Sequence, residues 1–200
     1  LNGNPSGTFR QYYQHGALKE ESVYDGDTVS STYFYPDGKV RSRFSEKSRK
    51  RVGVEVEYDE KGLLLSEIHY QDGEYGPGTR KYFPDGQLEL SITETDGLRT
   101  VVGYHEDGQP KLEEHYKNGK KHGPSLAYYP DGAPKLLEEY KDGLRHGRYV
   151  TYFDNGSREY EIDYREGLRH GPARAYHRNG QLKLEGGYVN GEPSGESRRY

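Results

Sequence analysis

The sequence predicts an all-β fold, an elongated, twisted single antiparallel sheet of tandem hairpins of about 24 residues each. Three observations lead to this prediction. A glycine recurs every 22 or 24 residues, an aromatic residue lies four positions before each of these glycines, and apolar residues between them alternate with period two. We therefore expect one array of about eight units over residues 1–200. The glycines are Gly16, Gly38, Gly62, Gly86, Gly108, Gly132, Gly156 and Gly180.

The repeated glycine closes a hairpin turn in each unit. Pro-Asp-Gly begins at Pro36, Pro84 and Pro130, and proline suits the second position of a type I turn while glycine accepts the left-handed conformation that follows it. A second set of glycines lies between these turns, so each unit holds two turns and two strands. This second set comprises Gly73, Gly97, Gly119, Gly143, Gly167 and Gly191.

Each strand between the turns is predicted to have an apolar side and a polar side. Leu182 and Leu184 share one face of a strand and Lys183 points to the other. A three-residue loop pairs Tyr176 with Leu182, and we expect these two side chains on one face. We assign a structural role to the aromatic positions before the turns and to three of the glycines. They are Tyr12, Tyr58, Tyr82, Tyr128, Tyr152, Tyr176, Gly132, Gly156 and Gly180.

Composition narrows the classes of function. A mean hydropathy of -1.18 with 30% apolar residues is typical of disorder, but 21 Tyr and 5 Phe placed periodically are not. The net charge of -4 argues against general nucleic-acid binding. With no cysteine, the chain has no thiolate chemistry. The chain begins at Leu1 without a methionine, which indicates an upstream segment, and an export signal is one candidate for it.

The most irregular segment is 39–51, which we interpret as a basic turn that replaces the usual one. Seven basic residues face one acid, Glu46. The segment is either a solvated loop or an electrostatic contact with an acidic partner, to which arginine would offer bidentate hydrogen bonds. The basic residues are Lys39, Arg41, Arg43, Lys47, Arg49, Lys50 and Arg51.

A second aromatic set follows the first by one residue. Alternation predicts that it points to the opposite, mostly charged face, where a row of aromatic side chains would resemble the core of an interface. Scattered exposed aromatics are the alternative. The set comprises Tyr13, Tyr35, Phe83, Tyr129 and Phe153, and the candidate partner-binding residues are Arg41, Arg43, Lys47, Arg49, Lys50, Arg51, Tyr35, Phe83, Tyr129 and Phe153.

The repetition of titratable residues along the chain indicates a structural role for them and not a metal-binding or catalytic one. Equivalent residues of adjacent units, such as His122, His146 and His170, lie about 10 Å apart in a sheet, too far for one metal ion. Repeated acids such as Glu138 and Glu161 are expected to form a solvated stripe facing Lys or Arg across strands. No catalytic motif is present. We expect neither an enzyme nor a cofactor.

The segment Glu138–Gly156 resembles a MORN repeat, in the variant found in YwqK-type bacterial antitoxins, and further copies span essentially the full chain. The resemblance implies an all-β hairpin array that mediates protein contacts. The YwqK-type branch further implies an immunity role, in which the protein neutralises a secreted toxin by direct binding. The segments Leu98–Gly103 and Asp27–Tyr33 depart from the pattern, since both lack two residues and the usual His-Gly.

The functional expectation is a non-enzymatic immunity protein that occludes the active site of a cognate toxin or effector. The alternative is a structural scaffold or membrane-surface adaptor. Membrane contact has no independent support in the aromatic columns, and self-association stays open. A bacterial periplasm or cell envelope is one compartment that fits the missing upstream segment, and the cytoplasm is the other.

Overall fold

The computed structural model describes residues 6–200, so the first five residues of the predicted array lie outside the described part. The chain divides into two compact units, Leu1–Thr93 and Glu94–Tyr200. Residues 6–200 contain strands and turns and no helix, and therefore no helix long and apolar enough to cross a membrane. The prediction of an all-β fold of tandem antiparallel hairpins is confirmed. That the array is one domain stays a prediction.

The longer strands of the first unit pair antiparallel with the next one along the chain, as hairpins require, and one of them pairs with two short strands. The strands that begin in this unit are β1 (Ser6–Tyr12), β2 (Leu18–Asp25), β3 (Thr28–Phe34), β4 (Val40–Lys47), β5 (Lys50–Tyr58), β6 (Leu64–Gln71), β7 (Glu74–Tyr75), β8 (Arg80–Tyr82) and β9 (Leu88–Thr95).

The strands of the second unit follow the same meander, in which the last long strand pairs with two short strands. They are β10 (Leu98–Tyr104), β11 (Pro110–Lys117), β12 (Lys120–Tyr128), β13 (Pro134–Lys141), β14 (Leu144–Tyr152), β15 (Arg158–Arg165), β16 (Leu168–Tyr176), β17 (Leu182–Val189), β18 (Glu192–Pro193) and β19 (Arg198–Arg199).

The first set of turns has the predicted geometry. In the loop between β12 and β13, the Gly132 amide donates to the Tyr129 carbonyl at 2.9 Å, and the Tyr129 amide donates to the Ala133 carbonyl at 2.8 Å. Gly132 has a φ of 81°, in the left-handed region. This is a type I turn closed by a left-handed glycine, the three-residue hairpin loop expected from Pro-Asp-Gly.

The second set of turns consists of two-residue loops. Asp142 and Gly143 connect β13 to β14 with φ values of 51° and 90°. Positive φ at both positions defines a type I′ turn, whose twist matches that of the flanking strands. The same pair of left-handed residues occurs at Asp72–Gly73, Asp96–Gly97, Asn118–Gly119, Glu166–Gly167 and Asn190–Gly191.

The predicted register is confirmed, since Tyr176 pairs with Leu182. The next pair along these strands is Ala175 with Leu184, so the register shifts and one extra residue, Lys183, is inserted in the second strand. The Tyr176 hydroxyl donates to Glu161 at 2.6 Å on one face, and Leu184 lies opposite Ala175 on the other. That Tyr176 and Leu182 share a face stays a prediction.

The segment 39–51 is not one irregular turn, as the sequence suggested. Most of it is strand β4, which continues into β5 through the two-residue turn of Ser48 and Arg49, with φ values of 50° and 65°. This is the same left-handed turn as in the other units, here without glycine. The side chains alternate as in an ordinary strand, since Ser42 and Phe44 are half-buried and Arg43 is exposed. The many basic residues masked this alternation in the sequence.

Each unit has two faces that differ in character. One, the tyrosine face, carries Tyr70 in the first unit and Tyr116, Tyr140 and Tyr164 in the second, and it holds most of the buried residues. The other, the charged face, carries side chains such as Arg174 paired with Glu185. The buried residues of the tyrosine face include Ile68, Ile92, Ile162 and Ala173, together with the polar Ser22, Ser31, Ser66, Ser125 and Glu138.

We predict that Gly156→Ala destabilises the fold because Gly156 has a φ of 80° and an added Cβ would meet nothing within 4 Å, so the cost is conformational. The expected loss is about 1 kcal/mol, seen as a lower midpoint of urea unfolding. Gly186→Ala is the matched control: its Cβ would lie 3.7 Å from Ser197 and its φ is not left-handed. Equal losses for both variants would contradict the turn assignment.

Candidate partner-binding surface

Five cations line up on the charged face at the β4–β5 hairpin. Arg41, Arg43 and Lys47 occupy alternate positions of β4 and therefore project from one face. Lys47 pairs with Lys50 across the hairpin, and Arg49 lies in the turn between them. All five side chains belong to exposed residues. We call Arg41, Arg43, Lys47, Arg49 and Lys50 the cation row.

Most of the cation row lacks a carboxylate. The Lys47 ammonium lies 4.0 Å from Asp27, an exposed pair that contributes little. The other four cations make no ion pair with any of residues 6–200. Several arginines elsewhere on the charged face are paired, as Arg10 is with Glu21 at 2.6 Å and Arg148 with Glu139 at 3.3 Å. The cation row is therefore an uncompensated stripe of positive charge.

The strands beside the cation row present neutral side chains on this face. On β3, Ser30 lies opposite Ser45 of β4 and their hydroxyls are 2.9 Å apart. On β5, Val54 is 45% exposed. One strand further away on each side, the charged face carries acidic residues: Glu21 on β2 and Glu67 on β6. Apart from Asp27 near Lys47 at the turn, polar and apolar surface separates the row from the acids on β2 and β6.

A shallow cavity of about 330 Å³ lies at the Arg43 end of the row. It is next to the loops at Gly38 and Gly62, so its walls combine loop and strand residues. The lining includes two cations and apolar groups, a combination that suits an anionic group with an apolar neighbour. The lining residues are Lys39, Val40, Arg43, Tyr58 and Gly62.

Arg51, predicted with this group, lies on the tyrosine face instead. Its guanidinium is 2.8 Å from Glu46 and 3.3 Å from Glu55, and it lies over the Phe44 ring at 3.3 Å from the centroid. Two carboxylates and an aromatic ring satisfy this arginine internally. The sequence contains a signal for this placement. Across the two-residue turn Arg51 pairs directly with Glu46, so the two side chains lie on the same face.

The second aromatic set is not an exposed row, and its tyrosine hydroxyls bind the neighbouring hairpins. The Tyr35 hydroxyl donates to the Tyr58 carbonyl at 2.8 Å, and the Tyr129 hydroxyl donates to the Tyr152 carbonyl at 2.9 Å. Each bond reaches 23 residues along the chain, close to one repeat. The bulge at the loop turns these residues toward the adjacent hairpin. All members, Tyr13, Tyr35, Phe83, Tyr129 and Phe153, are half-buried.

The first aromatic set ends the strands that precede the loops. Tyr12 is 59% exposed at the end of β1, whereas the others are half-buried. Their main-chain carbonyls accept the hydroxyls just described, so the two sets act together where a neighbour is a tyrosine. The predicted structural residues of this set are Tyr12, Tyr58, Tyr82, Tyr128, Tyr152 and Tyr176, and the glycines Gly132, Gly156 and Gly180 have φ values of 81°, 80° and 82°.

The tyrosine face contains carboxylates that sequence analysis placed in a solvated stripe. Glu138 is only 7% exposed; it accepts from the Tyr140 hydroxyl at 2.9 Å and pairs with Arg145 at 2.6 Å. The expectation of solvation is wrong here because the even positions of β13 face tyrosines. The expected pairing with a cation across strands is confirmed. A buried carboxylate is tolerated when such bonds satisfy it.

Glu114 repeats this arrangement one unit earlier. It accepts from the Tyr116 hydroxyl at 2.6 Å and from the Lys121 ammonium at 2.5 Å. Burial alone would raise the pKa of Glu114, but the bonds from Lys121 and Tyr116 outweigh it and lower the pKa below 4.5. Burial and the bond to Glu114 raise the pKa of Tyr116 to about 12.

The repeated histidines lie at the edge of the second unit. His122 contacts Asp142 at 3.3 Å, and the Glu166 amide reaches His146 at 3.5 Å. The Nδ1 atom of His170 is buried and has no hydrogen-bond partner. Within residues 6–200 no group of three or more His, Asp or Glu side chains is arranged to hold a metal ion.

Comparison with protein families identifies the repeat. A model described as "MORN repeat variant" matches residues 5–25, 51–72, 100–118, 121–142, 145–166 and 169–190. These segments cover more than half of the chain, so the chain belongs to the MORN repeat variant family. The comparison with curated proteins gives no match. The matched segments leave out residues 26–50, which contain the whole cation row.

We predict that Tyr129→Phe destabilises the second unit because it removes the bond to the Tyr152 carbonyl and leaves that carbonyl without its hydroxyl donor. The expected loss is about 1 kcal/mol in the free energy of unfolding. Tyr152→Phe is the control, since within the described chain the Tyr152 hydroxyl makes no hydrogen bond to protein. An unchanged urea midpoint for Tyr129→Phe would show that the inter-unit bond carries no stability.

We predict that Glu114→Gln lowers stability at neutral pH and that the deficit disappears in acid. Because the folded pKa of Glu114 lies below 4.5, its contribution is complete above the unfolded pKa and is lost as pH falls through the folded value. Urea midpoints of both proteins measured from pH 7 to about pH 3 should therefore converge. A deficit that stays constant down to acid pH would contradict a contribution from the ionised carboxylate.

Proposed function

We propose that this MORN repeat protein is a non-enzymatic immunity protein that binds a bacterial toxin effector and neutralises it by covering its active site. The observation that supports binding best is the cation row, exposed and largely without ion pairs on a face where several other arginines are paired. The proposal of an immunity role rests on the resemblance of segments such as Glu138–Gly156 to YwqK-type antitoxins. Its compartment would be that of the effector, in the cell envelope or the cytoplasm.

Binding, rather than catalysis, fits the state of the titratable groups. Acid–base catalysis needs groups with pKa values near neutrality. Here the pKa values of the interior tyrosines move further from neutrality. Burial and hydrogen bonds to Glu55 and Glu114 raise the pKa values of Tyr70 and Tyr116 to about 12. The carboxylates that hold them are engaged with cations. These groups serve packing, which supports the proposal that the protein does no chemistry.

Occlusion is a mechanism that suits such a surface. Binding costs less conformational entropy when the backbone that presents the surface is already ordered. The hairpins around the row are held at their loops by bonds such as Tyr35 to the Tyr58 carbonyl and Lys39 to the Glu60 carbonyl, both 2.8 Å. The backbone of β3, β4 and β5 is hydrogen-bonded on both sides. We propose that this ordered sheet covers the entrance of the effector's active site.

We predict that co-expression with the toxin restores growth and that the two proteins co-purify. The test expresses the product of each adjacent reading frame alone and together with the full chain, and it measures growth and the stoichiometry of the complex. Restored growth with a stable complex at micromolar concentration is expected. No restored growth and no complex would contradict the immunity role. Binding to anionic vesicles in place of a protein would instead favour the membrane-adaptor alternative.

A further inference from the structure

We infer that the cation row is the docking surface for an acidic segment of a protein partner, whose carboxylates are spaced about 7 Å apart along a line. This inference rests on the proposed function, in that it names the chemistry of the partner. It also makes a separate claim, that recognition takes place at residues 41–50 and not at the tyrosine face, and this claim is tested on its own.

The spacing follows from the strand. Alternate residues on one face of a strand lie about 7 Å apart, so the distance from Arg41 to Lys47 is about 20 Å. Arg41 and Arg43 occupy the first half of β4, and Lys47, Lys50 and Arg49 cluster where the hairpin turns. The charges therefore extend along a line, with two at one end and three at the other, where the hairpin turns. An acidic ridge with carboxylates on one side matches this line along its length.

The stripe is narrow, and its borders favour a protein partner. The neutral flanks of Ser30 and Val54 extend about 5 Å, one strand, to each side. Glu21 and Glu67 lie on the strands beyond. A flat anionic membrane would meet these acids together with the cations, and repulsion would offset the attraction. A ridge about as wide as one peptide chain touches the cations and avoids the acids.

The apolar surface beside the row adds a second argument. Val54, on the strand beside the row, is 45% exposed and would not contribute to binding nucleic acid, whose backbone needs positive charge throughout. The protein's net charge of -4 also opposes that partner. A protein segment can present carboxylates to the row and an apolar side chain to Val54, the composition that interfaces have.

The two arginines determine the geometry of recognition. A guanidinium binds a carboxylate through two parallel hydrogen bonds, whereas an ammonium acts as a point charge. Arg43 also lines the cavity of about 330 Å³ beside Val40 and Tyr58, where one carboxylate would meet a cation and an apolar wall. We therefore expect Arg43 to contribute more than the lysines at the turn. Arg43→Lys, which keeps the charge, separates hydrogen-bond geometry from net charge.

The first experiment measures binding of a labelled peptide of about ten residues that alternates Glu with Thr. Fluorescence anisotropy with the full-length protein is expected to show binding that weakens between about 50 mM and about 300 mM NaCl. A peptide of the same composition with all Glu in one block should bind more weakly, because only its alternating counterpart matches the row. No binding of the alternating peptide, or equal binding of both, would overturn the inference.

A charge-matched pair of variants locates the site. Arg41→Glu/Arg43→Glu is expected to weaken peptide binding about tenfold or more. The control is Arg165→Glu/Lys183→Glu, which makes the same change of charge at exposed residues of the charged face in the second unit. It should bind as the unaltered protein does. Equal loss in both pairs would mean that net charge alone acts, and the docking surface would be rejected. Unfolding midpoints verify that each variant folds.

The same variants distinguish this inference from the proposed function. If the unaltered protein restores growth against the toxin and Arg41→Glu/Arg43→Glu does not, both ideas are supported. If both proteins restore growth equally, the immunity role stands and the docking surface is wrong. If the peptide binds at the row and no adjacent product is neutralised, the surface stands and the immunity role fails. Vesicles of phosphatidylserine and phosphatidylcholine should not compete with the peptide; competition by them would overturn the choice of a protein partner.

Discussion

The left-handed residue that closes each hairpin is the constraint on which the rest of the structure depends. Because Gly132 and its equivalents adopt positive φ, the loop closes in three residues and the register of the next strand is fixed. The register shifts by one residue beside such a loop, between Ala175 and Tyr176, and in another repeat the residue after the equivalent tyrosine, Tyr129, bonds to the neighbouring hairpin. The loop conformation is thus associated with strand pairing and with contact between neighbouring hairpins.

Polar contacts replace much of the apolar core that a globular domain would have. Few apolar side chains are fully buried, and the tyrosine face is organised around carboxylates such as Glu138, which Tyr140 and Arg145 satisfy. These bonds fix geometry as well as energy, since a buried carboxylate tolerates few alternative partners. The consequence is a face on which many charges are already paired, whereas four cations at the β4–β5 hairpin make no ion pair within residues 6–200.

Local rules predicted the turns, the strands and the register from sequence, because glycine, proline and alternation act within one hairpin. The bulge at Lys183, next to the pair of Tyr176 and Leu182, was missed because period-two counting cannot detect an inserted residue. The hydroxyl of Tyr129 was missed for a different reason: its acceptor lies in another hairpin. In the candidate site, the charge of segment 39–51 was visible, but its division between faces, with Arg51 neutralised by Glu46, required the strand.

The turn at Ser48 and Arg49 is the place where folding and recognition favour different residues. Both adopt the left-handed conformation that other units assign to Asx-Gly or Glu-Gly pairs, at a cost of about 1–2 kcal/mol for a residue with a Cβ. A glycine at position 49 would relax the backbone and remove a cation from the row. Selection for thermal stability alone would therefore favour glycine at position 49 and remove one charge from the cation row. An arginine retained there would indicate selection for charge.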